Sequence, residues 1–274
     1  MRGKLILIFI ITLVCFSLHS CVIAVRNYPP MGGYPVQVFQ KTAPLESGGT
    51  VSVKNIYGDV EIVGWDREKV DVYAEKRLPS FRGKHIQVHS FKALLPQIKV
   101  EQFENSVQIK AEIQKLGQKP GPVNQYIRVP RPIRLKDISN QKGNIFVSDL
   151  FGKIFVELGE GDIHIENCSG SLSASLNKGL FEASLYDLRK GDEIHVINHQ
   201  GDIILSLQFQ VNARIKAQVS EGNIRSEFNQ IITSGKKEVQ AQIGKDGAQI
   251  SLSTLKGSIH IKKIKKEGKA KSSM

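Results

Sequence analysis

The chain has 274 residues, 41% of them hydrophobic and 23% charged, and its 24 glycines bring the apolar share to about half, as in ordinary folded domains. That composition fits neither wholesale disorder nor a polytopic membrane protein, and the length suits one domain of an all-β or solenoid kind. The formal net charge is +12; without Arg2 and Lys4 it is +10, and residues 262–274 hold six lysines against one glutamate, a further +5.

The first twenty residues read as an export signal: Arg2 and Lys4 precede an apolar run, residues 5–16, that is too short to cross a bilayer comfortably. Leu18-His19-Ser20-Cys21 then resembles a bacterial lipobox, with His19 an unusual occupant, and makes Cys21 the expected lipidation site and new N-terminus. The alternatives are an ordinary secretory signal cut after Ser20 or Ala24, and an uncleaved anchor. Lipidation would attach the protein to membrane lipid through Cys21 and place it in the cell envelope, as an outer-membrane or cell-surface lipoprotein. The secretory alternative makes it secreted or periplasmic. With Cys15 lost and Cys21 acylated, Cys168 stands alone, so no disulfide framework forms. No basic neighbour activates it within Glu166-Asn167-Cys168-Ser169-Gly170, and a buried, inert thiol is expected.

Residues 21–44 include Tyr28-Pro29-Pro30-Met31-Gly32-Gly33-Tyr34-Pro35 and end at Pro44, a run read as a tether without helix or sheet. From Leu45 the signal is strict alternation: Val51 and Val53; Val60 and Ile62; Val70, Val72 and Ala74; Val107, Ile109, Ala111 and Ile113; Ile127 and Val129. Period two means strand. The one helical candidate, residues 91–95, is cut short by Pro96, and the chain is expected to be all-β.

The second half adds a repeat. Glycines fall at 143, 152, 161, 170 and 179, then at 191, 201, 222 and 257, and most open a short alternating run such as Gly161-Asp162-Ile163-His164-Ile165. Asn140, Asn177, Asn198 and Ser220, two or three residues ahead of a glycine, are expected to hydrogen-bond backbone at the corner. Strands this short bury a face only by stacking, so the expected fold is a single parallel β-solenoid, a β-helix of short glycine-turn strands. Two units make one coil, following the steps 143, 161, 179, 201 and 222, with Ala174, Ala183, Ala213, Ala217 and Ala241 filling a narrow interior. An antiparallel sandwich is the competing architecture.

Thr50-Val51-Ser52-Val53-Lys54-Asn55-Ile56-Tyr57-Gly58-Asp59-Val60-Glu61-Ile62-Val63-Gly64-Trp65-Asp66, then Val70-Asp71-Val72-Tyr73-Ala74, then Tyr126-Ile127-Arg128-Val129-Pro130 leading into the glycine repeats, resembles the bacterial putative-adhesin β-solenoid family, long catalogued as a domain of unknown function. The resemblance covers residues 45–261. It implies an exported or membrane-attached protein, some relatives resembling parts of envelope stress systems, and it carries no catalytic residues. Residues 81–125 depart from it, with strands at 97–103 and 106–113 longer than the family core needs.

No nucleophile elbow, phosphate-binding glycine loop, His-Glu-x-x-His or Cys-x-x-Cys occurs. Glu160, Asp162, Asp192, Glu193, Asp202 and Glu221 fall at turns, where solvated acids are the default and a catalytic or calcium cluster the exception. His164, His195 and His260 each stand between apolar residues and face outward, either as ladder residues or as metal ligands; ladder residues are the reading taken, with no metal or cofactor. Arg128, Arg131 and Arg134 flank Pro130 and Pro132 as a basic surface or an anion-recognising edge. Trp65 and Tyr73 could stack on sugar, with Trp65 expected instead to cap the first coil. The lysine-rich end, 262–274, reads as a disordered basic tail, solvated or touching anionic lipid or wall polymer.

The sequence therefore predicts a non-enzymatic, adhesin-like binding module with a glycan, wall polymer or envelope protein as partner and no nucleic acid. The alternatives are an envelope scaffold or stress-sensing partner of a membrane protein, and a glycan-active β-helix enzyme.

Overall fold

A computed structural model describes residues 36–77, 95–113 and 121–264. The signal segment, Cys21, the helical candidate at 91–94 and the tail from 265 lie outside the described residues. Within them there are twenty strands and no helix. The first seven are β1 (Val36–Pro44), β2 (Thr50–Lys54), β3 (Val60–Trp65), β4 (Lys69–Arg77), β5 (Gln97–Phe103), β6 (Ser106–Glu112) and β7 (Val123–Pro130). The repeat region supplies β8 (Arg134–Lys142), β9 (Ile145–Ser148), β10 (Ile154–Glu160), β11 (Ile163–Cys168), β12 (Leu172–Lys178), β13 (Phe181–Leu185), β14 (Glu193–Gln200) and β15 (Ile203–Leu207). The last five are β16 (Ala213–Glu221), β17 (Ile224–Ser226), β18 (Glu238–Ile243), β19 (Ala248–Lys256) and β20 (Ile259–Lys263).

They form two ten-stranded sheets. Sheet A runs β1-β4-β7-β3-β9-β11-β13-β15-β20-β17 and sheet B runs β18-β16-β19-β14-β12-β10-β8-β2-β6-β5. From β8 to β17 consecutive strands alternate between the sheets, so each strand-turn-strand unit forms one rung across both. Neighbouring rungs pair in parallel; the four antiparallel pairs, β1 with β4, β4 with β7, β5 with β6 and β16 with β18, lie at the two ends. One core fills the space between the sheets, built from the inward half of each alternation: Val51, Ile62, Ile145, Val156, Ile163, Phe181, Val196, Leu205 and Ile259 are all fully or nearly fully buried. Ala174, Ala183, Ala213 and Ala217 belong to it as expected, whereas Ala241, on the outer strand β18, is half-buried.

The repeating glycines sort into opposite corners. Gly58, Gly143, Gly161, Gly179, Gly201, Gly257 and Gly222 stack in that order down one corner, each packed on the carbonyl of the glycine before it; Gly152 and Gly170 stack at the other. Side chains knit the first stack together. The Asp59, Asn144 and Asp162 side-chain oxygens accept the backbone N–H of Asn144, Asp162 and Leu180 in the following rung, at 2.8, 3.0 and 2.7 Å. Of the four predicted corner residues, Asn140 and Asn198 are buried and donate to the Gly58 and Gly179 carbonyls of neighbouring rungs, while Asn177 and Ser220 are exposed. The difference is phase: a residue three before the glycine points inward along its strand, one two before points out.

Three expectations need correction. Residues 36–44 are not tether but strand: β1 pairs with β4 along its whole length, and its Phe39 packs against the core. Gly222 does not follow Gly201 in the stack, because the last rung, β19 with β20, lies between β14/β15 and β16/β17. Trp65 caps no end: it closes β3, a strand flanked on both sides, and stands on the outer face of sheet A.

Candidate functional site

Parallel, in-register pairing aligns outward side chains into rows that run across the strands. The central row of sheet A takes one residue from each strand: Gln40, Tyr73, Tyr126, Glu61, Phe146, His164, Glu182, Ile204, His260 and Arg225. Neighbouring strands lie about 4.8 Å apart, so the row extends over about 43 Å. Its N-terminal half is aromatic. The Tyr73 and Tyr126 rings lie 5.9 Å apart at a tilt of 51°, and Phe146 stacks on His164 at 5.2 Å with the rings 8° from parallel. Tyr126 is 42% exposed and Phe146 38%.

Beside the tyrosines is a shallow groove of about 350 Å³ between Gln40, Glu61, Asp71, Tyr73, Tyr126 and Arg128. Arg128 is ion-paired with Asp71 and lies 4.6 Å from the Trp65 ring centre, which Arg67 and Lys69 also approach at 5.1 and 5.7 Å. The Trp65 indole N–H donates to the Lys69 carbonyl at 2.9 Å. Trp65 is thus held upright among cations, its face occupied by Arg128, and it orients the arginine rather than offering a bare platform. Arg131 is bound by Asp66 at 2.9 Å and reaches Asp149 at 3.7 Å; Arg134 lies on the other sheet, so the three arginines form no single edge.

The turn acids mostly hold backbone or neighbouring cations. Asp162 and Asp202 accept N–H groups of Leu180 and Ser258, Asp192 accepts that of Arg189, and Glu160 bridges Lys142 and Lys178 at 2.9 and 3.9 Å. The Lys142 hydrogen bond holds the Glu160 carboxyl below its ordinary range. Glu193 and Glu221 are exposed. The histidines do not converge: His164 and His260 share a row but are separated by Glu182 and Ile204, and His195 is on sheet B. Among the described residues no three His, Cys, Asp or Glu side chains gather as for a metal. Cys168 is 1% exposed, and burial pushes its thiol up to about 11, so it is protonated and sheltered at neutral pH.

Reading single residues picked out Trp65, Tyr73, Arg128 and His164. It missed Tyr126, Glu61 and Phe146, whose outward phase is visible in their alternating runs but whose alignment depends on which strands pair.

Three solved structures are similar to this chain. A putative cell adhesion protein from Clostridium sporogenes is 13% identical over 83% of this chain and 100% of its own, with a TM-score of 0.45. A putative adhesin from Bacteroides fragilis is 14% identical over 83% of this chain and 97% of its own, with a TM-score of 0.34. A putative lipid binding protein from Parabacteroides distasonis is 11% identical over the same shares, with a TM-score of 0.30. No curated protein matches. The profile of one family, Toastrack DUF4097, matches residues 46–262, which takes in every strand from β2 to β19 and most of β20. The chain belongs to that family.

Proposed function

We propose that this protein is an exported cell-envelope lipoprotein, anchored through Cys21, whose folded body is a single parallel β-solenoid that binds an envelope polymer without chemistry. The observation that carries this is the unbroken central row of sheet A, ten side chains in register with aromatic rings at one half. A surface that repeats every strand suits a ligand that also repeats, and solenoids present such surfaces over their whole length. The acids at the corners are occupied in holding backbone and lysines, which favours binding over catalysis. Residues 21–35 then connect the lipidated cysteine to β1 and allow the body to stand up to about 50 Å off the membrane.

Fractionation and protease shaving of cells expressing the wild type and Cys21→Ser test the anchoring. The wild type is expected in the membrane fraction and accessible to protease, the variant soluble; a soluble or sheltered wild type overturns it. Retention on isolated envelope glycan tests the row, where Tyr126→Ala with Phe146→Ala is expected to weaken binding about thirtyfold, aromatic contacts contributing about 1 kcal/mol each. Undiminished retention would remove the row from the function.

A further inference from the structure

Sheet B presents a face of different chemistry, and we propose that the cations on its strands β6, β2 and β8 and at the start of β10 form a cationic face that binds a linear polyanionic glycan, one carrying a carboxylate or phosphate on successive units. The proposal rests on the envelope-binding reading, adding a second face to the sheet A row and naming the class of ligand that face takes. Some outer-surface cations have acids on neighbouring strands: Lys142 and Lys178 share Glu160, Lys216 meets Glu238, and Arg128 meets Asp71. Lys54 of β2 stands directly opposite Lys110 of β6, and neither has an ion pair among the described residues. Like charges facing each other across a ladder destabilise it.

Toward the other end of these strands, on β8, Arg134 stands opposite Thr50 and precedes Leu135, whose N–H bonds the Lys153 carbonyl, so two more cations neighbour each other, again without an ion pair among the described residues. Lys136 joins them through a bulge. Leu135 pairs with Ile154 and Ile138 with Val156, so Lys136 and Asp137 together face Phe155, and Asp137 has a φ of 56°, in the left-handed region. The same slip appears against β2, where Val51 pairs with Leu135 and Val53 with Ile138. Such bulges redirect side chains, and strain in an ordered sheet is a reason to look for a site.

The bulge borders a groove of about 650 Å³ walled by Arg134, Lys136, Lys153, Phe155, Ser173 and His195, with Lys54 and Lys110 on the same face outside it. Asp137 and Glu193 also line it, leaving cations in excess. The face spreads Lys110, Lys54, Arg134, Lys136 and Lys153 over about 14 Å across the strands and about 13 Å along them, more than one small anion spans and suited to several charges on one chain. An exposed phenyl ring beside cations and a hydroxyl fits a sugar ring bearing an anion.

The test titrates the full chain in detergent with polygalacturonate, poly(glycerol phosphate), neutral dextran and a DNA oligonucleotide. At least one of the first two is expected to bind, identifying carboxylate or phosphate as the source, and dextran is not. Lys54→Gln with Lys110→Gln, and Arg134→Gln with Lys153→Gln, should each weaken that binding about tenfold. Lys178→Gln with Lys216→Gln removes the same charge from paired positions and should change it less than about twofold. Lys110→Gln should also leave the melting temperature unchanged or higher, which a structural lysine would not. No polyanion binding, equal effects of all three double variants, or DNA bound as tightly as the glycan overturns the inference. The fractionation above fails or succeeds independently of these results.

Discussion

Gly179 shows how little latitude the corner leaves. Its φ is 140°, and a Cβ there would overlap the carbonyl oxygen of Gly161 in the adjacent rung, a backbone atom that cannot turn aside. Gly191 also has a positive φ, 94°, but a Cβ on it would meet nothing within 4 Å. Gly179→Ala combines backbone strain with a clash and is expected to lower stability by about 3 kcal/mol or more, Gly191→Ala by about 1 kcal/mol. Urea unfolding of the two variants measures the difference; equal losses would mean that the stack has slack. The buried asparagines belong to the same corner. Asn198 is fully buried and donates to the Gly179 and Asp202 carbonyls at 2.9 and 3.2 Å, so one amide joins two rungs.

Among elements, the exposed rows connect strands that the core already holds, and they tune rather than create stability. Lys142, Glu160 and Lys178 lie on β8, β10 and β12, three consecutive strands of sheet B. Because the Glu160 carboxyl is depressed in the folded state, its contribution is present above the unfolded carboxylate pKa and is lost as pH falls through the folded value. Wild type and Glu160→Gln should therefore differ in urea midpoint by a small amount at pH 7, less in high salt, and converge as pH falls through the folded carboxyl's depressed value. A gap that does not shrink with falling pH would assign the effect to packing. Much of the element structure was legible in the sequence: Val60 and Ile62, or Val107 and Ile109, announce strands by alternation, and glycines nine apart announce corners. What was not legible is partnership. β1 looked like tether because prolines flank it, yet Phe39 and Ala43 find a core across β4, a fact stored in residues 69–77. For the same reason the aromatic row was hidden: Tyr126 and Phe146 each neighbour Glu61 only once β7 and β9 flank β3.

At the scale of the molecule, spatial order and chain order diverge at both ends. The β2/β3 rung lies inside the β6/β7 rung, and β19/β20 lies inside β16/β17. The hydrogen bond from Ser258 to Asp202 closes a separation of 56 residues, and β16 has only β18 and β19 as partners. A chain ending at residue 247 should therefore leave residues 213–243 exchanging amide hydrogens at unfolded rates while residues 123–207 keep their protection, since their rungs are paired without the last one. Hydrogen exchange read by mass spectrometry distinguishes this from uniform loosening, which would show the repeat to be cooperative throughout.

The inserted rung also sets the order of assembly. A stack that grew in the order of synthesis would place β16 directly on β14, and that position belongs to a strand not yet made. Residues 213–243 must stay open until residues 248–264 have been made, exposing edge strands to proteases and to wrong partners meanwhile. Closure then makes the fold sensitive to chain length: a product that stops before β19 leaves β16 and β17 without their parallel partners.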